Sequence, residues 1–158
     1  MKKIIILTLI IGLVILGVVF INKPKKENKP NIITMGCFNY KIDNKDVNIK
    51  TDSGKNYELK INNNCKNDYE YIILLSVDKD CKETSLVNVT INETLRNVTY
   101  YEKNTTYSVS PGYLDSYILK DDIIKSGETM KYNMKFGLNE SKNDLEWIAE
   151  IKVIGLAK

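Results

Sequence analysis

The sequence predicts an all-β protein: an antiparallel β-sandwich preceded by one N-terminal transmembrane helix. Two observations carry the β prediction. From Ile32 onward the apolar residues recur with a period of two, and turn-forming clusters divide that pattern into eight or nine short segments. A third observation carries the helix: Ile4 to Ile21 is a run of eighteen residues without a charge.

Taken from the start, residues 1–3 form a short basic tail and residues 4–21 the span. As a helix the span is about 27 Å long at ~1.5 Å per residue, close to a hydrocarbon core of about 30 Å. A cleaved signal peptide is the competing reading. The run is longer than a signal core of ~7–15 residues, and no small-x-small site follows it in Leu16-Gly17-Val18-Val19-Phe20-Ile21. Cleavage near Gly17 stays open as the alternative. Residues 22–31 hold two Asn-Lys-Pro units and make a stiff basic spacer, since proline cannot continue a helix. Lysines flank the span on both sides, so the positive-inside bias does not choose an orientation.

Residues 32–158 supply the sandwich domain. Phe38, Tyr40 and Ile42 alternate with Asn39 and Lys41, and Val47 and Ile49 alternate with Asp46 and Asn48. The turn Asp52-Ser53-Gly54 then leads to Tyr57, Leu59 and Ile61, which predicts strand, turn, strand with one wet face. Tyr69–Val77 is apolar almost throughout, the mark of a central strand covered on both faces. Val87, Val89 and Ile91 alternate with polar neighbours, as do Val98 and Tyr100. Residues 113–119 fit either a strand or a short helix. Met130, Tyr132, Met134, Phe136 and Leu138 form one apolar face; Leu145, Trp147, Ala149, Ile151 and Val153 form another. The polar loop between them, Asn139–Asp144, predicts an antiparallel hairpin.

The stretch Ile123–Val153, IIKSGETMKYNMKFGL followed by LEWIAEIKV, resembles the closing strands of immunoglobulin-like sandwiches in membrane-anchored prokaryotic surface proteins. There a Ser-Gly-Glu type turn often opens a late strand. The resemblance covers about thirty residues and lacks the disulfide and tryptophan spacing of antibody domains. It implies a binding or spacer module and brings no catalytic residue.

Composition narrows function further. Residues 1–30 carry six lysines and one glutamate, net +5; the remainder carries 17 basic and 19 acidic residues, net −2. The positive charge thus belongs to the membrane-flanking segment, where it suits anionic headgroups. The domain has no basic excess for a nucleic-acid backbone. The chain has no histidine, which removes the usual general base and the commonest zinc ligand. No cofactor, catalytic residue or metal site is predicted. Asp78, Asp80 and Glu83 form an acidic turn without the glycine and further ligands of a calcium loop. Asp121 and Asp122 have no spacing that marks a hydrolytic pair.

The candidate sites are modifications. Asn88, Asn92, Asn97, Asn104 and Asn139 each begin an Asn-x-Ser/Thr sequon, which requires a surface position and an extracellular domain. Of the three cysteines, Cys65 and Cys81 lie at opposite ends of a strand about 26 Å long, at ~3.3 Å per residue, too far apart for a disulfide. An up-down order of strands favours Cys37 with Cys81. Cys37 with Cys65 is the alternative if the first strand runs 32–37. The expected partners are the lipid bilayer through residues 4–21 and an envelope protein or glycan. The expected function is a single-pass, cell-membrane-anchored extracellular sandwich that binds, spaces or supports. A pilin-like filament subunit is the alternative, and a carboxylate-dependent envelope hydrolase a more distant one. The chain departs from the pilin pattern: no small residue precedes the apolar run and no glutamate lies near its start.

Overall fold

The computed structural model describes residues 31–50, 55–81, 83–139 and 146–157. The segments 1–3, 4–21 and 22–30, with the expected span, lie outside the described residues. No helix among the described residues is long and apolar enough to cross a membrane. The described chain forms two antiparallel sheets. Its strands are β1 (Asn31–Met35), β2 (Phe38–Ile42), β3 (Asp46–Lys50), β4 (Lys55–Asn63), β5 (Tyr69–Asp78), β6 (Val87–Ile91), β7 (Thr94–Asn97), β8 (Glu102–Lys103), β9 (Tyr113–Ile124), β10 (Thr129–Leu138) and β11 (Glu146–Ala157). The first sheet has the order β1-β2-β4-β10-β6-β7, the second β3-β11-β5-β9-β8.

Period-two alternation puts one apolar face on most of the strands, and the two sheets bury those faces against each other. Phe38, Tyr40, Ile42, Leu59, Ile61, Met134 and Phe136 from the first sheet share one cluster with Val47, Ile49, Tyr71, Ile73, Leu75, Trp147, Ile151 and Val153 from the second. Aromatic contacts tie the layers together. Phe38 stacks on Tyr69 with ring centroids 5.5 Å apart, and the buried hydroxyls of Tyr71 and Tyr132 hydrogen-bond each other. Trp147 is fully buried, and its Nε1 donates to Thr84 Oγ1 at 3.4 Å.

The one expected hairpin, β10 with β11, is not formed, and β3 and β4 do not pair with each other either. β3 pairs with β11, whereas β4 pairs with β2 and β10. Likewise β10 lies in the first sheet between β4 and β6, and β11 in the second between β3 and β5. Alternation says which side of a strand is wet, not which neighbour it bonds. Two consecutive strands in opposite layers both turn their apolar sides inward, so they carry the same pattern as a hairpin. A second difference concerns Val98–Tyr100, a one-turn 3-10 helix in place of a strand. The strand there is β7, joined to β6 by Asn92 and Glu93 with φ of 45° and 73°. Two positive φ values make this a type I′ hairpin turn, whose twist matches its strands.

β5 is the middle strand of its sheet and buried on both faces, as its composition predicts. Tyr71, Ile73, Leu75 and Val77 join the shared core; Ile72 and Leu74 point the other way and are buried too. Residues 104–112 run across that outer face. Asn104 N donates to Ser116 O at 2.8 Å, Lys152 Nζ to Ser108 O at 3.4 Å, and Lys79 N to Gly112 O at 3.0 Å. Ser116 and Lys152 stand opposite Ser76 and Leu74 in register, so this segment runs beside those two positions.

Two predictions follow from the packing between layers. A Cβ at Gly155 meets the Phe38 ring at 2.9 Å, and that ring is held by Tyr69. Gly155→Ala is expected to cost about 1–3 kcal/mol, measured as a lower midpoint in urea unfolding. Tyr71→Phe leaves the Tyr132 hydroxyl buried without a partner, an expected loss of about 1–3 kcal/mol. In a double-mutant cycle the Tyr71→Phe/Tyr132→Phe protein should lose less than the two singles summed.

Candidate functional site

The disulfide joins Cys37 to Cys65, with Cα atoms 4.9 Å apart. This corrects the expectation of Cys37 with Cys81 and selects the alternative pairing. β2 and β4 are neighbours, Phe38 stands opposite Asn63, and Asn64 N donates to Cys37 O at 2.9 Å. The bridge thus extends that ladder by one step. β5 belongs to the other sheet and carries the chain away from this end, which leaves Cys81 as a free, half-buried thiol. Its Sγ accepts from Ile148 N at 3.1 Å, and burial pushes its pKa up. Asn63 prepares the pairing. Fully buried, it accepts from Cys65 N through Oδ1 and donates through Nδ2 to Asn67 O and Ile124 O. Closing a loop with a sequence separation of 28 contributes about 3–4 kcal/mol in the chain-entropy description.

The sequon asparagines separate into different roles. Asn97 accepts from Thr99 N at 3.0 Å and Thr99 Oγ1 at 2.6 Å, capping the 3-10 turn, and its Nδ2 donates to Ser85 O at 2.8 Å. Asn104 is more fully enclosed. Its Oδ1 accepts from Thr106 N and Tyr107 N, and its Nδ2 donates to Tyr107 O and to the hydroxyl of buried Ser116, both at 2.8 Å. Asn92 is exposed in its turn, and its Oδ1 accepts from Asn133 N at 2.9 Å. Asn88 Oδ1 accepts from Asn97 Nδ2 at 3.2 Å. Asn139 is exposed at the end of β10.

The fold gathers Asn88, Asn97 and Asn139 into one shallow groove of about 530 Å³ beside β7. Ser85, Leu95, Arg96, Thr99 and Tyr100 complete it. Leu95 is 65 % exposed and Tyr100 78 % exposed. Tyr100, expected on the core side of a strand, instead stands in solvent because the 3-10 turn breaks the alternation after Val98. Arg96 lies 5.3 Å from the Tyr101 ring centroid, a cation–π contact that anchors the strand edge. The groove therefore sets three asparagines beside two exposed apolar side chains. Sequence reasoning missed it. The exposed Leu95 was its one readable signal.

Neither acidic feature forms a centre. Asp78 Oδ1 accepts from Asp80 N at 2.9 Å and closes a turn. Among the described residues no group of three or more His, Cys, Asp or Glu is placed to hold a metal ion. Asp121 and Asp122, adjacent on β9, project to opposite faces. A hydrogen bond from Ile123 N lowers the pKa of Asp122, helped by Lys120 at 3.1 Å. No protein-family model, curated protein or solved structure matches the chain.

Asn104→Ala removes the donor to Ser116 and the acceptor for two turn amides. Its expected cost is about 1–3 kcal/mol, whereas Asn139→Ala is expected within about 0.5 kcal/mol of wild type. Paired thermal melts check the contrast.

Proposed function

We propose that the protein is a single-pass, membrane-anchored extracellular module that works by binding or spacing and not by catalysis. The observation that carries this reading is the Cys37–Cys65 bridge. Disulfides persist in oxidising compartments and are rare in the cytosol. Set beside the apolar run 4–21, the bridge favours a head held outside the membrane. The lack of histidine in the chain points the same way as regards chemistry.

The layout of the first sheet supports a binding role. β1 follows directly on residues 22–30 and forms one edge; β7 forms the other. Five strand spacings separate them, about 24 Å at ~4.8 Å each. A head tethered at β1 thus presents the groove of Asn88, Leu95, Asn97, Tyr100 and Asn139 at its far edge, toward an envelope protein or glycan. The immunoglobulin-like part of the proposal is supported by strand interlock. β4 and β5 are consecutive, β10 and β11 are consecutive, and each member of one pair bonds a member of the other across the two sheets. Immunoglobulin domains relate their B, C, E and F strands in the same manner.

Protease treatment of intact cells tests the topology. The expected result is cleavage of the head while a cytoplasmic control survives. A head left whole on cells whose other surface proteins are cut sinks the proposal.

A further inference from the structure

The outer face of the first sheet carries its charges in rows. Lys41 stands opposite Lys60, and Lys60 opposite Lys131, on three adjacent strands. Two residues further along, Asp43 stands beside Glu58, where Asp43 N donates to Glu58 O at 3.3 Å. Like charges directly opposite each other in a sheet are destabilising. Alternating the signs within each row would relieve both clashes. Among the described residues none of these five side chains forms an ion pair within 4 Å. The face is also polar: Asn62 Nδ2 donates to Asn39 Oδ1 at 2.9 Å, and Thr129 Oγ1 to Asn62 Oδ1 at 3.0 Å.

Such a face is complementary to itself. The lysine row and the acidic row are separated along the strands by about 6.7 Å, two residues at ~3.3 Å. A two-fold axis lying between the rows, in the plane of contact and across the strands, lays each lysine row over the partner copy's acidic row. Position across the sheet is unchanged by that rotation. Lys60 then meets Glu58 of the second copy, and Lys41 meets Asp43, in the isologous manner of C2 dimers. We infer that the protein forms a face-to-face homodimer through this sheet, organised on the Lys60–Glu58 exchange along β4.

The same axis leaves both β1 edges on one side of the dimer. Two chains anchored in one bilayer need that arrangement. This point alone rests on the tether proposed above; the charge argument does not. Each exposed ion pair is worth little, about 0–1 kcal/mol, so the dimer is weak and salt-sensitive, and co-confinement in a membrane raises its effective concentration.

Sedimentation equilibrium of the full chain in density-matched detergent tests the inference at low ionic strength. Wild type should show reversible dimer that dissociates as salt is raised. Lys60→Glu and Glu58→Lys should each weaken the dimer at least tenfold, because each sets like charges across the axis. Mixed one to one, the two variants should recover it as a heterodimer, which misfolded variants cannot do. A dimer unaffected by either variant, or variants that stay monomeric when mixed, overturns the inference. So does a wild-type monomer that binds polyphosphate through Lys60, since the row then serves an anionic polymer. A chain that proves soluble without detergent refutes the tether while the same assay still reads the dimer.

Discussion

The shared apolar layer between the sheets is the constraint on which everything else depends. Neither sheet is contiguous in sequence. β2, β3, β4, β5 and β6 fall alternately in the first and second sheets, and β9, β10 and β11 continue the weave. Apart from the neighbours β1–β2, β6–β7 and β8–β9, consecutive strands lie in opposite sheets and meet only across the core. Burial comes only when both layers close, with Tyr71 and Tyr132 meeting at the centre and Phe38 packing over Gly155. Long-range pairings of this kind cost loop-closure entropy before they return stability. The disulfide between Cys37 and Cys65 offsets part of that cost at the β2–β4 end.

The closed layers leave two very different outer surfaces. The second sheet has Ile72 and Leu74 buried on its outer side, and residues 104–112 make polar contacts there with Ser116 and Lys152. Among the described residues nothing covers the outer side of the first sheet, whose rows are lysine, asparagine, glutamate and threonine. The contacts we propose both use the first sheet: its broad charged face and its β7 edge. Leu95 and Tyr100 break the polar pattern at that edge as two large exposed side chains.

Much of the fold was legible because period two is a strong signal. The inward residues of β2, β4, β10 and β11 follow from alternation alone, and the double burial of β5 follows from its unbroken apolar run. Pairing was not legible, for alternation is blind to which layer a strand joins. The hairpin expectation for 130–153 failed on that ground, and the cysteine pairing failed with it, since it leaned on an up-down order. Asn63 illustrates a signal that sequence hides. One buried asparagine among many organises the turn that brings Cys65 to Cys37, and nothing in its neighbours distinguishes it from the solvent-facing Asn62. The role of Asn104 was hidden in the same way, because a sequon and a turn-capping asparagine can be one residue.

The claim that joins fold to location is an oxidised Cys37–Cys65 bridge beside a reduced Cys81. It is tested most directly on protein extracted from its native membranes, denatured in the presence of an alkylating reagent and weighed intact, with and without prior reduction. One alkyl group without reduction and three after it is the predicted result. Three alkyl groups without reduction would contradict the account, since the head would then be a protein of a reducing compartment.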